Sequence, residues 1–167
     1  ATSGNNANLG YPTSPVQNLW KAMQLVGGTR TNIRMTGGNY TETNQINLVS
    51  NVVIDGRWLN SAGIWTKSSA VNTNLSFSAE ETISSTTVHR VGIKAFSVSG
   101  WVLQDLNITT TNVTGTSTGG LGKSNYGILM NNCSNYTINR CALNVGNASS
   151  GSNGSNGVAG ANGNAGA

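Results

Sequence analysis

Five segments of this chain share one formula: a small hydroxyl residue, then Asn or Gly, then apolar–any–apolar. They are Thr31-Asn32-Ile33-Arg34-Met35, Ser50-Asn51-Val52-Val53-Ile54, Thr73-Asn74-Leu75-Ser76-Phe77, Ser99-Gly100-Trp101-Val102-Leu103 and Ser134-Asn135-Tyr136-Thr137-Ile138, at steps of 19, 23, 26 and 35 residues. A turn residue followed by a strand of period two, recurring every twenty to thirty-five residues, is the pattern of a chain that winds. Each unit is too small to bury its own apolar face and must stack on the next. The pattern predicts a parallel β-helix.

The last two units carry the repeat furthest. Sliding the chain by 35 residues lays Gly92-Ile93 on Gly127-Ile128, Ser99 on Ser134, Trp101 on Tyr136, Leu103 on Ile138, Leu106 on Cys141 and Ile108 on Leu143. An antiparallel sandwich would also give alternating strands, at shorter spacing. Its strands need not share a turn formula, whereas stacked coils must.

Composition supports a solenoid. Apolar residues make up 37% of 167, enough for a narrow continuous core, while charged residues are only 8%, against about 25% in ordinary globular proteins. Ser, Thr, Asn and Gly fill the surface, which is expected of an extracellular protein. The net charge is +4, from nine basic residues scattered without a run. A nucleic-acid footprint would cluster them, so no nucleic-acid partner is expected; weak attraction to acidic polysaccharide fits better. No run of 18 apolar residues is present, and no membrane span is expected. No signal peptide is visible; a start at Ala1 is expected of a processed product or an internal piece. Cys133 and Cys141 fall on the places of Val98 and Leu106 one unit earlier, and so read as interior side chains rather than a disulfide. One His and two Cys cannot close a zinc site. No metal and no cofactor are expected.

Three regions follow: a lead-in and capping helix over 1–30, coils over 31–147, and a tail over 148–167. The helix is expected at 14–26, with Ser14 capping, Pro15 at the first helical position and Gly27-Gly28 as the stop. Val16, Leu19, Trp20, Met23 and Val26 share one face, suited to covering the open end of a core. Gly37-Gly38-Asn39 and Asp55-Gly56 read as turns after their strands. Three longer insertions, 57–71, 79–88 and 109–124, are expected to gather on one flank. In the tail, Gly151, Gly154, Gly157, Gly160, Gly163 and Gly166 recur every third residue. Without Pro these triplets are weak evidence for collagen. They read as a flexible linker, or as a glycine helix that associates with copies of itself.

The stretch from Ser3 to Asp55 resembles the opening of secreted right-handed parallel β-helix proteins of the pectate-lyase-like superfamily. The residues that carry the likeness are 3–10, Ser14-Pro15-Val16 with its short helix, Asn32-Ile33-Arg34-Met35, Gly37 to Glu42, and Val53-Ile54-Asp55-Gly56. The likeness is closest to non-catalytic regions of large bacterial surface and secreted proteins with Gly-rich tracts. It implies a fold and not a reaction.

Lyases and hydrolases on such a fold need grouped carboxylates. Here there are five, Glu42, Asp55, Glu80, Glu81 and Asp105, and the paired-Asp and Gly-His-Gly motifs of polygalacturonases are absent. Adjacent Glu80 and Glu81 would face opposite sides of a strand, and Asp55 and Asp105 read as turn residues. No catalytic residues are assigned; any chemistry would fall to Asp55, His89, Arg90 and Asp105. Trp58 and Trp65 lie in a long insertion and are candidate platforms for a sugar ring, whereas Trp101 reads as core. Asn32, Asn51, Asn74 and Asn135 occupy one place in four units and are expected to form an internal amide stack. Asn-x-Ser/Thr triplets also occur at Asn39, Asn74, Asn107, Asn112, Asn132, Asn135, Asn147 and Asn153. The expected protein is a non-catalytic structural or adhesive module, secreted or on a cell surface. It would partner copies of itself or further domains, as part of an extracellular fibre. The alternative is a carbohydrate-binding or polysaccharide-cleaving domain.

Overall fold

A computed structural model describes residues 1–82 and 87–160. The fold is mostly β, with parallel sheets and one short helix, α1 (Leu19–Gln24). Sheet A joins β1 (Asn32–Thr36), β4 (Val53–Ser61), β9 (Val102–Gln104) and β12 (Thr137–Asn139). Sheet B joins β2 (Gly38–Glu42), β6 (Thr73–Phe77), β10 (Leu106–Thr110) and β13 (Ala142–Val145). Sheet C joins β3 (Ile46–Asn47), β8 (Val88–Phe96) and β11 (Asn125–Asn131). Two short strands add antiparallel hairpins, β5 (Ile64–Lys67) on β4 and β7 (Glu80–Thr82) on β8. Setting those two aside, the chain visits sheets A, B and C in unbroken rotation from β1 to β13.

The 35-residue slide is the register of the last turn. Leu103 pairs with Ile138, Ile108 with Leu143 and Ile93 with Ile128, and Ser99 bridges Ser134. Positive φ recurs with the same period, at Ser97 and Asn132, Gly100 and Asn135, and Asp105 and Arg140. Left-handed residues at the corners between sheets C and A and between sheets A and B redirect the chain from one sheet to the next. Asn51 fills the equivalent corner one turn earlier, with φ of 64°. Its side-chain oxygen leans into the space a Cβ at position 100 would need, which favours glycine at that corner, where φ is 71°.

Core side chains stack in columns across the turns. One is Ile33, Ile54, Leu103 and Ile138 in sheet A; another is Tyr40, Leu75, Ile108 and Leu143 in sheet B. Trp101 is completely buried, as expected, and stacks on Tyr136 with ring centroids 4.9 Å apart. Cys133 and Cys141 are free thiols packed against the core.

Several expectations are corrected. Four of the five sequence segments lie in sheet A, but Thr73–Phe77 is β6 of sheet B. The Asn stack is therefore a different one. Asn32 sits opposite Val53, and Asn51 and Asn135 turn corners. The ladder is Asn39–Asn74–Asn107 in sheet B, where Asn74 donates to Asn39 and Asn107 to Asn74, each at 2.8 Å. Gly38-Asn39 open β2, and Asp55-Gly56 lie inside β4 rather than in a turn. The insertions divide. The 109–124 segment and the described parts of 79–88, whose residues 83–86 lie outside the described residues, share the corner between sheets B and C. There Lys123 pairs with Glu80 and the Ser124 N–H donates to His89. The 57–71 insertion forms the β4–β5 hairpin between sheets A and B.

The helix starts four residues later than Pro15. Asn6 accepts the N–H groups of Gln17 and Asn18 through its side-chain oxygen, and the Pro15 carbonyl accepts from Asn5 and Asn8. The lead-in thus holds this stretch outside the helix. Asn18 at the helix start makes no side-chain cap. The cap comes instead from Glu42, at the end of β2, whose carboxylate accepts the N–H of Leu19 at 2.7 Å and of Trp20 at 3.2 Å. The expected apolar face persists: Leu19 is buried, and Trp20, Met23 and Val26 pack on the core.

Candidate functional site

Three groups of side chains gather polar or aromatic chemistry. The first lies at the corner between sheets A and B, where Asp55 and Asp105 are brought together by a residue with no sequence motif. Lys67, on β5, pairs with Asp55 and lies 2.6 Å from Asp105. Arg140 grips Asp105 with both nitrogens, at 2.6 and 2.9 Å, and the Trp58 indole donates to Asp55 at 2.9 Å. Gly56 is obligatory, because a Cβ there would run into the Asp105 carbonyl. Arg140 hydrogen bonds, with help from Lys67 and against the opposing effect of burial, hold the Asp105 carboxyl well below the usual carboxylate range. It is therefore an anion at neutral pH and a structural anchor. A depressed folded value stabilises above the unfolded value, near 3.8, and that stability is lost as pH falls further. Unfolding of the wild type and of Asp105→Asn, followed from pH 6 to pH 2, should show the gap between them closing below about pH 4.

The second group lies on sheet C and its hairpin. Glu80 and Glu81 do face opposite sides: Glu80 meets Arg90 and Lys123, while Glu81 meets Lys94 and Gln45. Arg90 also donates to the Thr111 and Asn112 carbonyls, and the His89 ring stands edge-on to Tyr126. His89 and Arg90 thus sit on sheet C, and Asp55 and Asp105 at the A–B corner. The four residues singled out for chemistry do not converge. All five carboxylates are engaged, four by cations and Glu42 by the α1 amides. Among the described residues no His, Cys, Asp and Glu cluster could hold a metal.

The third group surrounds a cleft of about 510 Å³ between α1, the 9–16 segment and β1. Trp65 lines it, tied by its indole N–H to the Pro12 carbonyl at 3.0 Å; Asn60 donates to the same oxygen. Trp58 lies on the same hairpin face, opposite Lys67, and Arg34 covers its ring at 4.4 Å. Both indoles are half-buried, and only Trp65 reaches the cleft. Val16, Leu19 and Met35 form a buried apolar floor, and exposed Arg30 and Arg34 lie on the rim. These residues are scattered through the sequence: Val16 and Leu19 read there as a helix face and Trp65 as a sugar platform, and no motif joins them to Arg30, Arg34 and Met35.

The tail begins as part of the fold. Residues 146–152 hydrogen-bond to 110–113 and to 120–123, and Gly151 packs against Gly120 and Gly122. Gly154, Gly157 and Gly160 stand in open space. Gly163 and Gly166 lie outside the described residues. No helix among the described residues is long and apolar enough to cross a membrane. No protein-family model, curated protein or solved structure matches the chain.

Proposed function

We propose that the chain is a right-handed parallel β-helix module of the pectate-lyase-like kind, with a structural and adhesive role in a secreted or cell-surface bacterial protein. It would serve as a segment of an extracellular fibre and perform no reaction. The observation that carries this reading is the difference between its two ends. At one end, α1 lies over the core through Leu19. At the other, the columns finish on Ile138, 40% exposed, and Leu143, 47% exposed, although Leu103 and Ile108 beneath them are at most 1% exposed. The outer edges of β11, β12 and β13 carry no further strand among the described residues. Such an edge, with its apolar rows open, invites another layer to stack on it.

The rotation through three sheets supports the winding, and crossovers between parallel strands are right-handed in nearly all proteins. Engagement of all five carboxylates supports a role without acid–base chemistry. Low charge and a Ser/Thr/Asn surface support the extracellular setting.

Light scattering on the full chain should show association that rises with concentration, abolished by Ile138→Lys with Leu143→Lys. Both positions are exposed, so the variant should keep its unfolding temperature. Removing residues after Asn153 tests the Gly triplets separately, because a cut nearer the strands would strip ordered contacts. Monomers at every concentration would end the stacking idea. Incubation with polyuronates and common glycans should release no product; steady release of unsaturated or reducing ends would overturn the non-catalytic reading.

A further inference from the structure

We propose that the cleft beneath α1 is a binding site for a small amphipathic anion, an alkyl chain with a carboxylate or sulfate head. Its volume, about 510 Å³, lies within the range of small-molecule sites, roughly 300–1,000 Å³. The floor of Val16, Leu19 and Met35 supplies apolar contact and no hydrogen-bonding side chain other than the Met thioether. Gln17, Asn18, Thr29 and Asn32 also line the cleft, but on that floor a sugar would bury hydroxyls without side-chain partners, which is unfavourable. An alkyl chain would not.

The rim supplies the opposite chemistry. Every acidic side chain is engaged elsewhere, and none lines the cleft. Among the described residues Lys21, Arg30, Arg34 and Arg57 have no carboxylate partner, and two of these four, Arg30 and Arg34, stand at the cleft. Arg30 is held over the Tyr11 ring at 4.8 Å and gives one hydrogen bond, to the Leu9 carbonyl. Arg34 is held over Trp58 and donates no side-chain hydrogen bond among the described residues. Both guanidinium groups are therefore positioned by ring stacking with donors to spare, an arrangement that suits an anionic head group. The wall opposite is fixed by the Trp65 and Asn60 bonds to Pro12.

The test is calorimetric and NMR titration of the full chain with decanoate, decyl sulfate, decanol and galacturonate. Decanoate is expected to bind with a Kd on the order of 0.1 mM, the scale for a ligand of this size. Decyl sulfate binding alike marks the site as a general anion reader; decanoate alone marks it as a carboxylate site. Arg30→Gln and Arg34→Gln should each weaken decanoate about tenfold, and Ala22→Phe, on the α1 wall of the cleft, should abolish binding. Unchanged unfolding temperatures of the Gln variants, at exposed positions, keep the comparison clean. Several results would overturn the proposal: no binding of either anion, decanol binding as well as decanoate, binding indifferent to Ala22→Phe, or galacturonate binding in their place. None of these outcomes bears on end-to-end stacking.

Discussion

Trp101→Ala should lower the free energy of unfolding by about 4 kcal/mol, in the range for large aromatic side chains removed from a packed core. Trp101 is fully buried, and its indole N–H has no hydrogen-bond partner among the described residues, so the loss is one of packing and cavity formation. In a chain of 167 residues this corresponds to a fall in Tm of roughly 8–16 °C. Tyr136→Ala provides the contrast. Tyr136 stacks on Trp101 but is 46% exposed, and its truncation should lower stability by about 1 kcal/mol. If the open end is covered by a second copy, that smaller loss should grow with protein concentration. A Trp101→Ala variant within 1 kcal/mol of the wild type would mean that neighbouring turns close over the gap.

Glu42→Ala should be the next most damaging change, at about 3 kcal/mol, because it strands one buried and one part-buried helix amide and opens a cavity. The residue is 1% exposed and lies in the same inward column as Phe77. Glu42→Gln, which keeps the shape and one good acceptor, should lower stability by only about 1 kcal/mol at neutral pH. The pH dependence separates the two contributions. Burial raises the Glu42 carboxyl above its ordinary 4.5, against the lowering effect of the Leu19 and Trp20 amides. A raised carboxyl value means that the folded state holds its proton longer than the unfolded state. Stability from this group is therefore greatest at low pH and declines as pH rises from 4.5 through the folded value. Urea unfolding of Glu42→Gln across pH 4–8 should lack that decline. Equal slopes in both proteins would show that the helix end is capped by something else.

The apolar rows and the 35-residue slide were legible because each column needs like residues one turn apart. Trp101 and the two cysteines followed from the same rule, and the apolar face of α1 from helical spacing. The five-segment formula mixed two sheets because every strand of a turn obeys the same alternation; only register distinguishes β6 from β4. Ser14-Pro15 is a sound local start for a helix, yet Asn6 holds the next residues out of it, and a local signal cannot report a tertiary tether. Glu42 caps a helix start 23 residues away, and Lys67 and Arg140 reach Asp105 only through the stacking of turns. The cleft was hidden for the same reason, since its floor and rim come from the lead-in, α1, β1 and β5.

The corner between sheets A and B has a consequence for how this chain can vary. Asp55, Lys67, Asp105 and Arg140 form a line of alternating sign drawn from β4, β5 and the ends of β9 and β12. Neutralising Lys67 alone leaves two carboxylates facing one another, and neutralising Asp105 alone leaves two cations without their shared anion. Effects of single replacements here will not add. A neighbouring sequence that reached the same fold without one of these charges would have had to replace several together, so the four positions form one heritable unit although they are up to 85 residues apart.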